Sequence, residues 1–128
     1  MMPRWILPLC AVCALTIASG IGVAGPLTDE IYAVRQNDSR TRLDVGHVAT
    51  KHIPVGSDVA FARRILEGNG FKLYEIDKHD GSYNLVGTQL RRTLWRFLPF
   101  IDDEYKIILR IRDNKVESAW GRVILQAL

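Results

Sequence analysis

The stretch that decides the fold is YKIILRIR, residues 105–112. Its odd-numbered positions are large and apolar: Tyr105, Ile107, Leu109 and Ile111. Three of its four even-numbered positions are basic, and Ile108 is the exception. Successive side chains of a strand point to opposite faces of a sheet, so this alternation predicts a strand with one apolar and one polar face. Such a strand is typical of an antiparallel sheet that covers a core on one side.

A tight hairpin is predicted directly after this strand. Asp113 and Asn114 both tolerate the left-handed backbone conformation that a two-residue turn needs. A turn at these two residues predicts three cross-strand pairs: Ile111 with Val116, Leu109 with Ser118, and Ile107 with Trp120. Two of these pairs are large and apolar, which favours this register and places Trp120 on the core face.

A helix is predicted after the break at Pro54-Val55-Gly56. Ser57 is placed to cap a helix that begins at Asp58. The apolar residues of this helix fall within an arc of about 160° on a helical wheel; they are Val59, Phe61, Ala62, Ile65 and Leu66. The sequence Gly-Asn-Gly at 68–70 ends the helix, because glycine adopts positive φ at little cost.

Shorter patterns predict the remaining elements. Pro26 to Gln36 is predicted as a short helix with Thr28 as its cap. Leu43 to Ile53 and Phe71 to Ile76 are predicted as strands, and a turn follows at 77–82. Thr88 to Phe97 fits either a helix or a strand. Its leucines recur at helical spacing, but the flanking glycine and proline favour a strand.

Residues 1–24 have the layout of an export signal. Arg4 precedes an uncharged, largely apolar run, and Gly22 and Ala24 supply the small residues that a cleavage after Ala24 requires. We therefore predict a signal peptide at residues 1–24. The same run is about 20 residues long, which would also suit an uncleaved membrane anchor. Either alternative places the rest of the chain in the periplasm or outside the cell.

The remainder of the chain has the size of one domain. Cys10 and Cys13 both lie in the export segment, so a cleaved chain has no thiol for a disulfide or a metal. The 104 residues left carry 16 basic and 14 acidic side chains. This balance gives no support for nucleic-acid binding. We expect a short helix or linker at 25–42 and a single α+β domain at 43–128, a small antiparallel sheet with one or two helices on one face.

No catalytic, cofactor-binding or metal site is predicted. His47 and His52 would point to opposite faces of their predicted strand, and His79 lies in a polar turn. The acidic run Asp102-Asp103-Glu104, placed in a hairpin turn, is expected to be solvated charge rather than a cation site. Ser57 lacks the glycine spacing of a nucleophile elbow.

One segment is a candidate partner surface. Residues 91–97, RRTLWRF, mix guanidinium groups with aromatic rings. On a strand, Arg91, Trp95 and Phe97 would share one face, and Arg92 and Arg96 the other. Such a strip suits a partner's acidic surface or anionic lipid. An amphipathic strand with solvated arginines is the alternative explanation.

The segment Ile53-Pro54-Val55-Gly56-Ser57, with Ala62, Leu66 and Gly70-Phe71 after it, resembles a pattern in small exported α+β proteins. There, a loop ending in glycine and serine leads into a helix, which returns through a glycine to an antiparallel sheet. The pattern is similar to the domain shared by outer-membrane assembly lipoproteins and beta-lactamase-inhibitor proteins, over about residues 53–76. The resemblance implies helices on one face of a sheet that binds proteins. The chain lacks the lipoprotein cysteine.

These observations lead to one leading hypothesis and two alternatives. The leading hypothesis is a non-enzymatic envelope protein that binds another protein or the membrane surface through its sheet, without metal, cofactor or nucleic acid. The first alternative is an inhibitor or immunity protein that neutralises one cognate enzyme. The second is an enzyme whose site is not recognisable in one sequence.

Fractionation of the host and the intact mass of the recovered protein test the export segment. Cleavage after Ala24 gives a soluble envelope species that begins at Gly25, and this is the expected result. Recovery of the full-length chain with the membrane would contradict cleavage and identify residues 1–24 as an anchor.

Overall fold

A computed structural model describes residues 25–92 and 101–127. Within these ranges the fold is α+β, with three helices and one five-stranded antiparallel sheet. The helices are α1 (Pro26–Gln36), α2 (Gly46–His52) and α3 (Val59–Gly68). The strands are β1 (Arg42–Asp44), β2 (Lys72–His79), β3 (Ser82–Arg92), β4 (Ile101–Arg112) and β5 (Lys115–Ala127).

The strand order in the sheet is β1-β5-β4-β3-β2, with every neighbouring pair antiparallel. The predicted α+β class and antiparallel sheet are confirmed, and the described residues form three helices instead of one or two. The predicted export segment at residues 1–24 lies outside the described residues.

The core lies between the helices and one face of the sheet. The odd-numbered side chains of β4, from Tyr105 to Ile111, are all buried there, as their alternation predicts. Against them pack buried side chains from all three helices: Leu27 and Ile31, Val48 and Ala49, Ala62 and Leu66. Burying each large aliphatic side chain contributes about 1.5–3 kcal/mol, so this layer fixes which face of the sheet is covered.

The C-terminal hairpin forms as predicted, but its register changes after the first pair. Asp113 and Asn114 have φ of 52° and 63°, and Ile111 pairs with Val116. Glu117 is then bulged out, so that Arg110 pairs with Ser118 and Ile108 pairs with Trp120. The predicted pairs of Leu109 with Ser118 and Ile107 with Trp120 are therefore wrong. One extra residue reverses the parity of the strand, and Trp120 points away from the core.

The predicted strand from Leu43 to Ile53 is also wrong. Only the three residues of β1 are extended, and α2 follows them. Asp44 Oδ1 accepts a hydrogen bond from Gly46 N at 2.8 Å, which turns the chain out of the sheet. The start of α2 lies directly on β5, where a Cβ on Gly121 would be 3.0 Å from the carbonyl oxygen of Val45.

The other predicted elements are largely confirmed. Helix α3 forms and ends at Gly68, and Gly70 just after it has a φ of 84°. Strand β2 extends to His79, so the turn is shorter than predicted. Thr88 to Arg92 belongs to strand β3, and residues 93–97 lie outside the described residues. Ser57 does not cap α3, because its hydroxyl donates to the carbonyl oxygen of Pro54 at 2.6 Å.

Asn69 caps helix α1 from a distance of about 40 positions in sequence. Its Oδ1 accepts hydrogen bonds from the amides of Leu27 and Thr28 at 3.0 and 3.2 Å. Thr28 is therefore not the cap: its hydroxyl donates to the carbonyl oxygen of Asn69 at 2.9 Å, and Gln89 Nε2 donates to the same oxygen. Asn69 thus joins the start of α1 to the end of α3 and to β3.

The substitution Asn69→Ala tests this cap. It removes the acceptor of two buried amides, so we expect the free energy of unfolding to fall by about 1–3 kcal/mol. Urea denaturation measures the change. The control is Asn37→Ala, which removes an exposed amide that donates to the carbonyl oxygen of Ala33 at the end of α1. Equal effects of the two substitutions would contradict the role of Asn69.

Candidate functional site

A row of four apolar side chains crosses the face of the sheet that α1, α2 and α3 leave uncovered. Tyr74 pairs with Val86, Val86 with Ile108, and Ile108 with Trp120, in four adjacent strands. Directly paired residues of antiparallel strands have their side chains on the same face. We call these four residues the apolar row and this side of the sheet the open face.

The apolar row is well exposed at its two ends and more buried in the middle. Tyr74 and Trp120 are 45% and 48% exposed, whereas Val86 is 1% exposed and Ile108 is half-buried. The two aromatic side chains on β2 and β5 are therefore the accessible members of the apolar row, and Val86 is covered by its neighbours.

Basic side chains flank the apolar row on both sides. Lys72, Lys106 and Arg122 lie on the same cross-strand row, next to the apolar row, and Arg110 lies on the other side of it. Among the described residues, Lys72, Arg110 and Arg122 form no ion pair, and Lys106 only reaches Glu104 at 3.9 Å. Exposed apolar groups with unpaired cations around them are a combination that a binding surface uses.

Two of the polar side chains on the open face are held in place. Arg110 donates to Ser82 Oγ at 3.0 Å and to Asn84 Oδ1 at 3.4 Å, two neutral groups that leave its charge uncompensated. Glu104 accepts a hydrogen bond from Gln126 at 3.0 Å. These contacts fix the positions of one positive and one negative charge before any partner binds, which lowers the entropic cost of association.

Two open grooves lie beside the apolar row. One of about 320 Å³ lies beside Trp120, between β1 and β5, with Asp44 and Arg122 in its lining. The other, of about 570 Å³, is lined by Lys72, Leu90 and Glu104 among others. Both continue the open face beyond the four residues of the apolar row.

The candidate partner surface from the sequence is placed only in part. Arg91 lies in β3 opposite Asp103, half-buried on the core side of the sheet. The side chain of Arg92, and Trp95, Arg96 and Phe97, lie outside the described residues. The structure therefore brings Arg91 together with a buried acidic side chain rather than with the apolar row.

The acidic run Asp102-Asp103-Glu104 is not in a turn. All three residues belong to β4, and Asp103 is buried against Arg35, with exposed fractions of 1% and 0%. Arg35 donates to Asp103 through Nη2 at 2.9 Å and through Nε at 3.1 Å. The prediction of solvated charge is wrong for Asp103, because a partner 68 positions away in sequence compensates it.

The phenol of Tyr105 is the neighbour of Asp103 on the core face of β4. Tyr105 is buried on the same face of β4, and burial together with the negative charge of Asp103 raises the pKa of Tyr105 to about 12. The folded protein therefore favours the neutral phenol. The stabilisation that comes from this preference is present below pH 10 and is lost as the pH rises from about 10 to 12.

The histidines do not form a common site. His47 is exposed on α2, and His52 Nε2 lies 2.9 Å from Glu30 Oε1. Hydrogen bonds from His52 and Lys51 hold the pKa of Glu30 below its usual value. His79 faces Asp80 at the surface. Within residues 25–92 and 101–127, no three His, Cys, Asp or Glu side chains converge as metal ligands would.

Comparison with known proteins adds no relative. No protein-family model, no curated protein and no solved structure matches the chain. In the described part of the chain, none of the helices combines the length and the apolar character that crossing a bilayer requires.

The sequence does not predict the apolar row, because the local patterns around two of its members are misleading. Ile108 appears in the sequence as an exception to the alternation of β4, although it is the apolar member of the opposite face. Trp120 is predicted on the core face, because no local sequence pattern shows that a bulge occurs at Glu117. Tyr74 and Val86 gain meaning only from the pairing of β2 with β3.

The substitution Asp103→Ala tests the buried ion pair. It leaves the charge of Arg35 buried without its partner, so we expect the free energy of unfolding to fall by about 3–5 kcal/mol. Urea denaturation measures the change. In the control Asp58→Ala, an exposed carboxylate paired with Lys115 is lost, and little change is expected. A result for Asp103→Ala no larger than the control would contradict this role.

Proposed function

We propose that this chain is a non-enzymatic binding protein of the cell envelope, and that it binds another protein through the open face of its sheet. The observation that carries the proposal is the apolar row, which has two half-exposed aromatic side chains. On both sides of it lie cations that form no ion pair with any residue that the structure describes. The proposed location rests on the export segment at residues 1–24.

The composition of the open face supports a protein partner. Tyr, Trp and Arg are enriched where proteins bind one another, and Tyr74, Trp120 and Arg122 are such residues on this face. Of the five large apolar side chains that are well exposed in the described residues, four lie on the open face: Tyr74, Ile76, Leu90 and Trp120. Their common location favours one contiguous binding surface over scattered exposure.

A membrane surface is the less favoured occupant of this face. Anionic headgroups would attract Lys72, Lys106 and Arg122, but they would repel Asp44 and Glu104, which lie among these cations. A protein surface accommodates charges of both signs by placing its own opposite each of them. The mixed charges thus support a protein partner.

An inhibitor or immunity protein is the second candidate. Exposed aromatic side chains on the open face also suit a protein that closes the site of one cognate enzyme. The two candidates differ in the identity of the partner, since an inhibitor forms a stoichiometric complex that abolishes the activity of an enzyme.

Site-specific photocrosslinking in the native host tests the proposed surface. A photoreactive residue in place of Tyr74 or Trp120 is expected to give a discrete crosslinked protein band, because both side chains project from the open face. The matched control is the same residue in place of Glu67, which is exposed on α3. Mass spectrometry of the band identifies the partner, and assay of that partner separates an inhibitor from a structural ligand.

Crosslinks from the Glu67 position alone would overturn the assignment of the open face. Turnover of a small substrate by the purified chain, abolished by a single polar substitution, would overturn the assignment as a non-enzymatic protein.

A further inference from the structure

We infer that the chain forms a symmetric dimer in which strand β2 pairs with strand β2 of a second copy, so that two five-stranded sheets become one continuous sheet. The backbone edge of β2 carries this inference, not the open face. It therefore goes beyond the proposed function, and the open face of each copy stays free to bind a partner.

The chain covers the edge of its sheet on the side of β5. At the start of β5, Val116 N donates to the carbonyl oxygen of Ser57 at 2.9 Å, and beside β1, Leu125 N donates to that of Thr41 at 2.9 Å. Strand β1 lies between these contacts and is only three residues long. Covering segments and very short edge strands are devices that keep a sheet from joining another strand.

The edge at β2 has no such cover. Over residues 72–76 the backbone pairs with β3, and no other residue that the structure describes forms a hydrogen bond with it. This stretch contains neither proline nor a bulge; the bulge begins after Ile76, where Asp77 has a φ of 55°. Every second residue of such an edge turns its N–H and C=O outward, so the stretch is a template for one more strand.

The side chains along this edge suit a strand partner. Tyr74 and Ile76 are 45% and 41% exposed. Aromatic and β-branched residues are the types that pair across strands. On the helix side of the edge, Leu73 is half-buried, so helix α3 leaves part of this side chain accessible. Both faces of the edge thus offer apolar surface to a second strand.

A two-fold axis at Tyr74 pairs all five residues of this stretch. The axis produces three types of cross-strand pair: Tyr74 with Tyr74, Lys72 with Ile76, and Leu73 with Glu75. An aromatic pair lies on the axis, and no like charges stand opposite each other. The carboxylate of Glu75 already has Lys78 Nζ at 3.0 Å, so it adds no uncompensated charge beside Leu73.

Other registers of the same symmetric pairing are less favourable. An axis at Glu75 would place the two Glu75 carboxylates opposite each other, and like charges in that position destabilise a pair of strands. An axis at Leu73 would pair Ile76 with Gly70, which lies before β2 begins. The sequence of the edge therefore selects the axis at Tyr74.

A second copy fits this edge better than an unrelated strand. Each copy has its uncovered edge at β2, so the pairing consumes both of these edges and the assembly closes as a dimer. A strand from another protein would present a new edge of its own. The same register also brings the two apolar rows end to end, because Tyr74 of each copy lies on the axis.

Single cysteines test the register. Directly opposite residues of antiparallel strands have Cα atoms about 4.5–5.5 Å apart, and a disulfide spans at most about 7 Å. Tyr74→Cys should therefore form a disulfide-linked dimer when the chain recovered from the host is mildly oxidised. A non-reducing gel measures the dimer. Every cysteine variant also carries Cys10→Ala and Cys13→Ala, which remove the native thiols.

The matched control is Ile76→Cys, on the same strand and face and with similar exposure. In the inferred register the two copies of residue 76 are four positions apart, or about 13 Å, so this variant should stay monomeric on the gel. The double variant Lys72→Cys, Ile76→Cys should crosslink, because each cysteine then lies opposite one in the second copy. Lys72→Cys alone should not crosslink.

Sedimentation velocity tests the dimer without added thiols. The chain recovered from the host should show a concentration-dependent equilibrium between monomer and dimer. Tyr74→Lys should weaken the dimer about tenfold, because it removes the aromatic pair and puts like charges on the axis. Trp120→Lys, at a position of similar exposure on β5, should leave the equilibrium unchanged. Circular dichroism checks that both variants are folded.

Crosslinking of Ile76→Cys to the same extent as Tyr74→Cys would overturn the inference. A monomer at every concentration, together with no disulfide in Tyr74→Cys, would also overturn it. Two further results would contradict it. Loss of the dimer in Trp120→Lys would place the second copy on the open face, and a disulfide from Tyr74→Cys to a different protein would assign the edge to a partner's strand.

The inference and the proposed function can fail separately. Trp120 lies three strands away from the edge at β2, so a photocrosslink from the Trp120 position reports on a partner of the open face and not on the dimer. A dimer without any such crosslink would reject the proposed function alone. A monomer whose Trp120 position crosslinks to a partner would reject the dimer alone.

Discussion

The ion pair between Arg35 and Asp103 constrains the rest of the structure, because neither charge reaches water. A buried guanidinium or carboxylate without its partner is costly by several kcal/mol. Arg35 also donates to the carbonyl oxygens of Asp38 and Arg40, so the same side chain closes the loop after α1. A shift of β4 by one residue would turn Asp103 out of the core and break both of its hydrogen bonds with Arg35. The pair therefore favours one register of α1 on the sheet.

The parity of β4 then determines both faces of the sheet. With Asp103 toward the helices, Tyr105 and the odd-numbered residues after it fill the core, and Ile108 points to the opposite side. At the other end of α1, Asn69 supplies the acceptor for the first amides of the helix. A Cβ on Gly25 would come within 2.5 Å of Asn69 Oδ1. A side chain at position 25 would therefore displace the amide that caps the helix. Helix α1 is thus held at both ends over the same face.

Local pattern predicted the elements whose partners are close in sequence. The alternation in β4, the turn at Asp113-Asn114 and the apolar arc of α3 each need only a few neighbouring residues, and each is confirmed. Long-range contacts decided the rest. The local sequence predicts surface charge at Asp103, because its partner Arg35 lies 68 positions away in the chain.

The same limit affected the candidate site. The segment at 43–53 has the alternation of a strand, but most of it forms helix α2. Val48 and Ala49 are buried because this helix packs on β5, not because they belong to the sheet. The bulge at Glu117 moved Trp120 from the predicted core to the open face. Pairing across four strands, which no single segment encodes, then assembled the apolar row.

The apolar row is difficult to explain by folding alone. Val86 is buried, but Tyr74 and Trp120 leave about half of their surface in water, and that half contributes nothing to the packing of the sheet. Exposed aromatic groups raise the tendency to associate, and a sequence under selection for solubility alone would replace them. Three of the four cations beside these groups have no ion-pair partner among residues 25–92 and 101–127, and cations that served only the fold would be paired. The open face carries both features together, which supports the binding role that we propose for it.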